Sequence, residues 1–304
     1  MVVGYNAGVQ KILIVGSGDV ARRILFRLSP ACRVFALLRD RQRAVAWREA
    51  GAIPLFADLD DRSSLRRLAG LADTVLHLAP PPGAGQLDTR TRNLLAALSA
   101  GGSLPRQLIY VSTTGVYGDC AGALIDETRP CHPESARAAR RVDAEHCLRA
   151  WGRRQGVRVS ILRAPGIYAA DRLPLERLEK ALPALLAEDD AYTNHIHAED
   201  LATACIAAQR HGRANRVYNI VDDTQLHMAD YFDRVADAFK LPRPPRLSRR
   251  AAAEVLSPLQ LSFMRESRRI GNRRLKNELK LRLAYPTVDS GIAEAVSRRN
   301  ACSS

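Results

Sequence analysis

The chain has 304 residues, 46% hydrophobic and 5% aromatic, with a formal charge of +14, enough for one large α/β domain or a nucleotide-binding domain with a smaller lobe. Five lysines contribute to that charge (Lys11, Lys180, Lys240, Lys276, Lys280); the rest is arginine spread along the chain, with neither a concentrated track nor a reading motif, so no nucleic-acid partner is expected. Six scattered cysteines without a C-x-x-C pair, no signal-peptide pattern in the first ten residues and no apolar run of spanning length predict a cytoplasmic protein with free thiols and no membrane partner.

The first element is the apolar run Ile12-Leu13-Ile14-Val15, which leads directly into Gly16-Ser17-Gly18-Asp19-Val20-Ala21 and an amphipathic stretch. A buried strand, a Gly-x-Gly-x-x-Ala turn and a helix, in that order, are what a dinucleotide-binding turn needs. Gly16 permits the tight turn, Gly18 lets the backbone approach a diphosphate, and small Ala21 lets helix and strand pack closely. Ser17, Asp19 and Val20 complete the expected cofactor loop.

Further strands are predicted over 33–38, 53–56, 74–78, 107–112 and 158–162, alternating with helices over 20–28, 41–50, 63–69, 87–100 and 133–155. This rhythm predicts an α/β fold: a Rossmann-type, doubly wound parallel sheet covered on both faces. At the end of the second strand Arg39 stands where an acid would bind the ribose hydroxyls of NAD; an arginine there suits the extra phosphate of NADP. NADP is therefore preferred, with Arg39 and Arg43 as phosphate contacts, and NAD stays possible because Asp40 follows. The long segment between Ser112 and Pro133 leaves the carboxyl end of the fifth strand, where open α/β sheets place their ligands.

Beyond residue 162 the pattern loosens. A proline-interrupted helix is predicted over 175–186, a strand over 195–197, helices over 199–209 and 228–239, and a strand over 217–221. Helices over 249–261 and 272–279 follow, ahead of an ordered stretch at 285–287. The predicted organisation is a nucleotide-binding domain over 1–163 and a smaller, interleaved lobe over 164–304, with a returning strand and helix near 194–221. The leucine-rich segment 173–186 is expected to shape a pocket for a small, partly apolar molecule, with Arg163 and Arg172 available to an anionic group. Leu94, Leu95 and Leu98, with Val142 and Leu148, mark either a homodimer face or helices covered within the monomer. His195 and His197 share one strand face, but no third well-placed ligand accompanies them, so no metal is expected.

Taken together, these motifs resemble the extended short-chain dehydrogenase/reductase family, also called the NAD-dependent epimerase/dehydratase family, over nearly the whole chain. The glycine turn matches its cofactor loop. Asp58-Leu59 resembles the acidic pair at the adenine ring, and His77-Leu78-Ala79-Pro80 the turn after the fourth strand. Val111-Ser112-Thr113-Thr114-Gly115-Val116-Tyr117-Gly118 is similar to the family's Ser-Ser/Thr-x-x-Val-Tyr-Gly segment. Arg163-Ala164-Pro165-Gly166-Ile167-Tyr168 resembles its Arg-x-Pro-x-x-Tyr turn, and His195-Ile196-His197-Ala198-Glu199-Asp200-Leu201 its substrate-lobe element, where His197 and Asp200 would anchor the lobe to the nucleotide domain.

The resemblance implies an NAD(P)-dependent oxidoreductase or epimerase acting on a small carbonyl, hydroxyl or sugar-like substrate. It breaks at the family's Tyr-x-x-x-Lys pair: aligning Val142-Asp143-Ala144-Glu145 places Arg137 at the tyrosine and Arg141 at the lysine. An arginine supplies charge and hydrogen bonds but does not lose its proton near neutral pH. Thr113, Tyr117 and Arg141 are then the expected catalytic set, with Tyr117 as replacement proton donor. The alternative is a catalytically inactive NAD(P)-binding redox sensor or partner protein.

Overall fold

The computed structural model of the chain describes residues 9–302; the first eight residues of the segment read above for a signal peptide lie outside it. Seven strands form one parallel sheet: β1 (Lys11–Val15), β2 (Arg33–Leu38), β3 (Ile53–Phe56), β4 (Thr74–His77), β5 (Gln107–Thr113), β6 (Arg158–Ala164) and β7 (Arg216–Asn219). Their spatial order is β7-β6-β5-β4-β1-β2-β3. The α/β expectation holds, and the strand order reverses at β1, which pairs with β2 on one side and β4 on the other. That reversal opens a crevice at the carboxyl ends of the strands.

The continuous apolar character of β1 follows from its central place. Ile12 and Ile14 point into a cluster with Ile24, Trp47, Leu201 and Cys205, while Leu13 and Val15 point into the opposite one with Leu68, Leu94 and Leu148. Helices α1 (Asp19–Leu25), α2 (Ala44–Glu49), α3 (Thr89–Ser99) and α4 (Ala136–Gln155) cover the first five strands. Leu94, Leu95, Leu98 and Leu148 are all buried inside the monomer, so the leucines considered for a dimer face are covered within the chain itself.

Later elements are α5 (Leu175–Glu179), α6 (Ala198–His211), α7 (Met228–Phe239), α8 (Arg249–Val255), α9 (Pro258–Phe263), α10 (Arg273–Asn277) and α11 (Val288–Cys302). The chain passes out of the sheet after β6, then returns with α6 packed along α1 and with β7 on the sheet edge beside β6. A separate apolar cluster unites Tyr168, Leu178, Phe232, Val235 and Ile292. Leu173, Leu175 and Leu182 pack against it; the leucines expected to shape a substrate pocket instead help build this second core.

Local departures from the predicted elements have local causes. The helix predicted over 175–186 stops at Glu179, and Ala184–Leu185 pairs as a strand with Arg246–Leu247; Pro183 cannot continue helical hydrogen bonding. The helix predicted over 249–261 is two helices, because Ser257 starts a new one with a capping box to Gln260 and Pro258 at its first position. Helix α11 was not predicted. Its buried residues Val288, Ile292 and Ala295 do follow helical spacing, but Asp289, Ser290, Gly291 and Glu294 between them dilute the pattern. No described helix is long and apolar enough to cross a membrane. Cys32, Cys120, Cys131, Cys147 and Cys205 are free thiols; the side chain of Cys302 lies outside the described part.

Three histidines are buried as neutral rings. Burial pushes His77 and His195 down to about 3 and His197 down to about 4, while burial pushes Asp222 up to about 7. In the unfolded chain the histidines protonate below about pH 6.5, so each removes stability as the pH falls from there toward its folded value. Asp222 works oppositely: its folded pKa lies above the unfolded one, so its contribution is present at acidic pH and lost as the pH rises through about 7. Among these four groups three outweigh one, so together they make unfolding near pH 5 take up protons. The melting temperature is expected to fall on going from about pH 7 to about pH 5, and Asp222→Asn to steepen that fall. Thermal melts across pH check this; a melting temperature that rises on acidification overturns it.

Candidate functional site

Beyond Val15 the chain turns at Gly16, whose φ of +98° lies in the left-handed region. A Cβ there would sit 2.4 Å from the Ala79 nitrogen and 2.7 Å from its Cα, so two requirements exclude any other residue: the turn and the close approach of the β4 exit. Gly18 is different. Its φ is −87°, and a Cβ built on it meets nothing within 4 Å. Neither backbone strain nor internal packing accounts for a glycine at 18, and the space beside it is open. Ala21 is fully buried against α6.

This turn forms one wall of a cleft of about 790 Å³. Residues 16–20 stand on one side, Arg39, Asp58 and Leu59 on another, and Leu78, Ala79 and Pro80 close it. All cofactor positions expected from sequence therefore meet on one surface. Asp58 is held by reciprocal bonds with Ser64 and accepts from the Asp60 N–H, while Asn93 on α3 donates to the Leu59 carbonyl at 2.8 Å. The wall is thus braced from the helix side.

The cleft carries more cationic groups than its motifs announce. Arg43 lines it and donates to the Ser17 carbonyl at 2.6 Å. Asp40 lines it as well, and its Oδ1 caps the turn Arg41–Arg43 by accepting from the Gln42 N–H at 2.8 Å. Arg90 also lines the cleft, fixed by Asp60 at 2.6 and 2.9 Å. Arg172 reaches in from beyond the sheet. Arg90 belongs to no local motif that a sequence reading of the cofactor loop would pick out, and Arg172, read from the sequence as available to an anionic group, lines this cleft only through the fold.

The residues expected to be catalytic sit at the carboxyl end of β5 and on α4, outside the lining of this cleft. Thr113 is half-buried, and its Oγ1 accepts from the Gly115 N–H at 3.2 Å, capping the turn Thr114–Tyr117. Arg141 donates to the Tyr110 hydroxyl and the Val111 carbonyl, both at 2.9 Å. Tyr117 is 1% exposed. Its hydroxyl donates to Asn219 Oδ1 at 2.7 Å, and the Arg163 guanidinium lies over its ring. Burial pushes the phenol up to about 12 against the opposing charge of Arg163, so its position lends no support to the proton-donor role expected of it.

Arg163 corrects a second expectation. It is 4% exposed and forms a two-pronged ion pair with Glu145 on α4, at 2.6 and 3.1 Å, which Ser112 completes at 2.6 Å. It is enclosed and gives no anionic ligand a contact. Pro165 separates β6 from the short strand Gly166–Tyr168, where Gly166 pairs with His195. His197 accepts from the Glu199 N–H and stacks on Tyr285, and Asp200 accepts from the Ala284 and Tyr285 N–H groups at 2.8 and 2.9 Å. The Asp200 bonds thus run to the segment leading into α11, and the His197 bond stays at the start of α6. Among the described residues no cluster of three or more His, Cys, Asp or Glu side chains could hold a metal ion.

Comparison with known proteins adds to this geometry. The family described as "NAD dependent epimerase/dehydratase family" matches residues 12–221. GDP-6-deoxy-D-mannose reductase of Pseudomonas aeruginosa is 27% identical over 257 residues, 75% of this chain and 80% of that protein. A functionally unknown conserved protein from Silicibacter pomeroyi superimposes with a TM-score of 0.77 at 28% identity, covering 95% of this chain and 99% of the other. The dTDP-glucose 4,6-dehydratase DesIV of Streptomyces venezuelae, solved with NAD bound, is similar in fold: TM-score 0.77, 20% identity, 96% and 98% coverage.

The two glycines of the turn should respond differently. Gly18→Ala is expected to melt within a degree or two of the parent while losing about tenfold or more in dinucleotide affinity, since the methyl group enters the cradle alone. Gly16→Ala is expected to lower the melting temperature itself. Parallel melting and coenzyme titration separate the cases; unchanged affinity in Gly18→Ala would mean the cradle holds nothing.

Proposed function

The chain belongs to the NAD dependent epimerase/dehydratase family, and we propose that within it this protein is an NADP-preferring oxidoreductase or epimerase-like enzyme acting on a small carbonyl, hydroxyl or sugar-like substrate. One arrangement carries the coenzyme preference. Arg39 and Arg43 line the cleft just past β2, and Asp40, the one carboxylate beside them there, has an oxygen engaged as a cap. Two guanidinium groups beside the adenine ribose suit a 2′-phosphate. The dinucleotide, once bound, supplies or accepts a hydride.

The chain's own part follows from the groups near the end of β5. Arg141 stands where the family's lysine stands, tied to the Tyr110 hydroxyl and the Val111 carbonyl. It offers a fixed positive charge and hydrogen bonds to a ribose or substrate oxygen, without proton exchange. Thr113, half-buried on the same loop, is suited to orient a substrate hydroxyl or carbonyl. Arg137, at the family's tyrosine position, is exposed and adds charge but no acid. Proton transfer in this reading passes through Thr113 or water. The protein is placed in the cytoplasm, with a homodimer as its assembly if it forms one.

A second reading, coenzyme binding without turnover, is favoured by one observation: the Tyr117 hydroxyl is buried on Asn219. Titration with NADPH and NADH, followed by a screen of carbonyl and sugar-nucleotide substrates for coenzyme oxidation, separates the two. Arg39→Ala is expected to weaken NADPH by about tenfold to a hundredfold and leave NADH nearly unchanged. Equal loss for both coenzymes would remove the NADP preference, and tight binding with no oxidation across the panel would establish the second reading.

A further inference from the structure

Among the described residues that line the cleft, Arg172 alone comes from the chain beyond β6. It ends the turn Ala170–Arg172, whose position is fixed from behind. Tyr168, just before the turn, donates to the Thr287 carbonyl at 3.2 Å, and Gly291 on α11 lies so close to its ring that a Cβ would approach within 2.4 Å. The turn is therefore a mounted arm, and its guanidinium projects across the crevice to Asp19 on α1.

That contact is a weak one. Arg172 Nη2 lies 3.3 Å from Asp19 Oδ2, and the Arg172 side chain is 36% exposed. The same carboxylate oxygen already receives Arg23 Nε at 2.8 Å. Arg23 is itself embedded, bonded to Glu199 on α6 and facing Asp171 at 3.7 Å. Asp19 is thus satisfied without Arg172, whereas the partly exposed Arg172 guanidinium lines the same cleft as the open cradle at Gly18. A half-exposed pair of this kind contributes at most a small stabilisation, and a phosphate oxygen is a stronger acceptor for a guanidinium.

We propose that Arg172 binds the diphosphate of the dinucleotide, leaving Asp19 for a phosphate oxygen, so that the coenzyme itself joins the C-terminal half of the chain to the glycine turn. This rests on the dinucleotide reading given above. No covalent step is involved. The contact differs from that of Arg39 and Arg43 because the diphosphate is common to both coenzymes, while the 2′-phosphate belongs to one.

The test is a fluorescence titration of NADPH and NADH against the parent, Arg172→Gln, Arg172→Lys and Asp19→Asn, with a melting curve for each. Arg172→Gln is expected to weaken both coenzymes by about tenfold and by the same factor, with Arg172→Lys recovering part of the loss. Asp19→Asn should tighten both, because it releases Arg172 and removes a negative charge beside the phosphates. Unchanged binding in Arg172→Gln overturns the proposal, as does a loss confined to NADPH. So does weakened binding in Asp19→Asn, which would make the pair a brace between two parts of the chain. A folded parent that binds neither coenzyme removes the dinucleotide reading itself, a result distinct from all of these.

Discussion

The approach of the chain to itself at Gly16 governs the rest of the cleft. Here the backbone leaving β1 passes within contact distance of the backbone leaving β4, at the point where the strand order of the sheet reverses. The two strands must sit side by side for the sheet to close, and their exits must diverge for a crevice to open. With no side chain at 16 and a left-handed φ, both conditions are met at once. Residues 16–20 and the Leu78-Ala79-Pro80 turn then face a common space, and the groups contributed by β2 and β3 line its far side.

Charge organises the same region. Arginines approach the cleft from four places: the end of β2, the turn before α2, α3, and the turn after Tyr168. Three of the four are partly oriented by an oxygen of the chain itself. Arg43 rests on the Ser17 carbonyl, Arg90 on Asp60, and Arg172 on Asp19. Guanidinium groups left to themselves would repel one another and sample many rotamers; anchored, they hold positive potential over a defined volume at a reduced entropic cost. The basic composition, which at first invites a polyanion partner, here serves a bounded cleft and a set of internal ion pairs such as Arg163–Glu145.

The chemistry at the end of β5 is more restrained than the family pattern. The tyrosine of the loop is turned into the interior, and Arg141 is tied to the Tyr110 hydroxyl and the Val111 carbonyl; on the proposed reading, Arg137 and Arg141 stand where an acid and its activating lysine would. What remains is a surface able to orient and to stabilise negative charge, with little capacity to move a proton. Such a site suits a reaction whose proton comes from solvent, or a protein that reads coenzyme state.

The sequence by itself determined the sheet and the coenzyme turn. A strand buried on both faces reads as an unbroken apolar run, and a turn that tolerates no Cβ at 16 must show a glycine there; both are local constraints, and β2 was found to the residue for the same reason, while the edge strand β3 was found from its short apolar run alone. The Asp40 cap could not be read that way, because the Gln42 N–H that its carboxylate accepts is placed only when the turn Arg41–Arg43 is built. Arg163 was equally ambiguous: an arginine after a strand can meet a ligand or a buried carboxylate, and only the seating of α4 on the sheet brings Glu145 to it. Arg172 and α11 lie further still from local pattern. Their places depend on Tyr168, Gly291 and the segment after Asp200 converging from more than a hundred residues of chain. Contacts between distant segments leave no periodicity behind, so tertiary packing alone decided them.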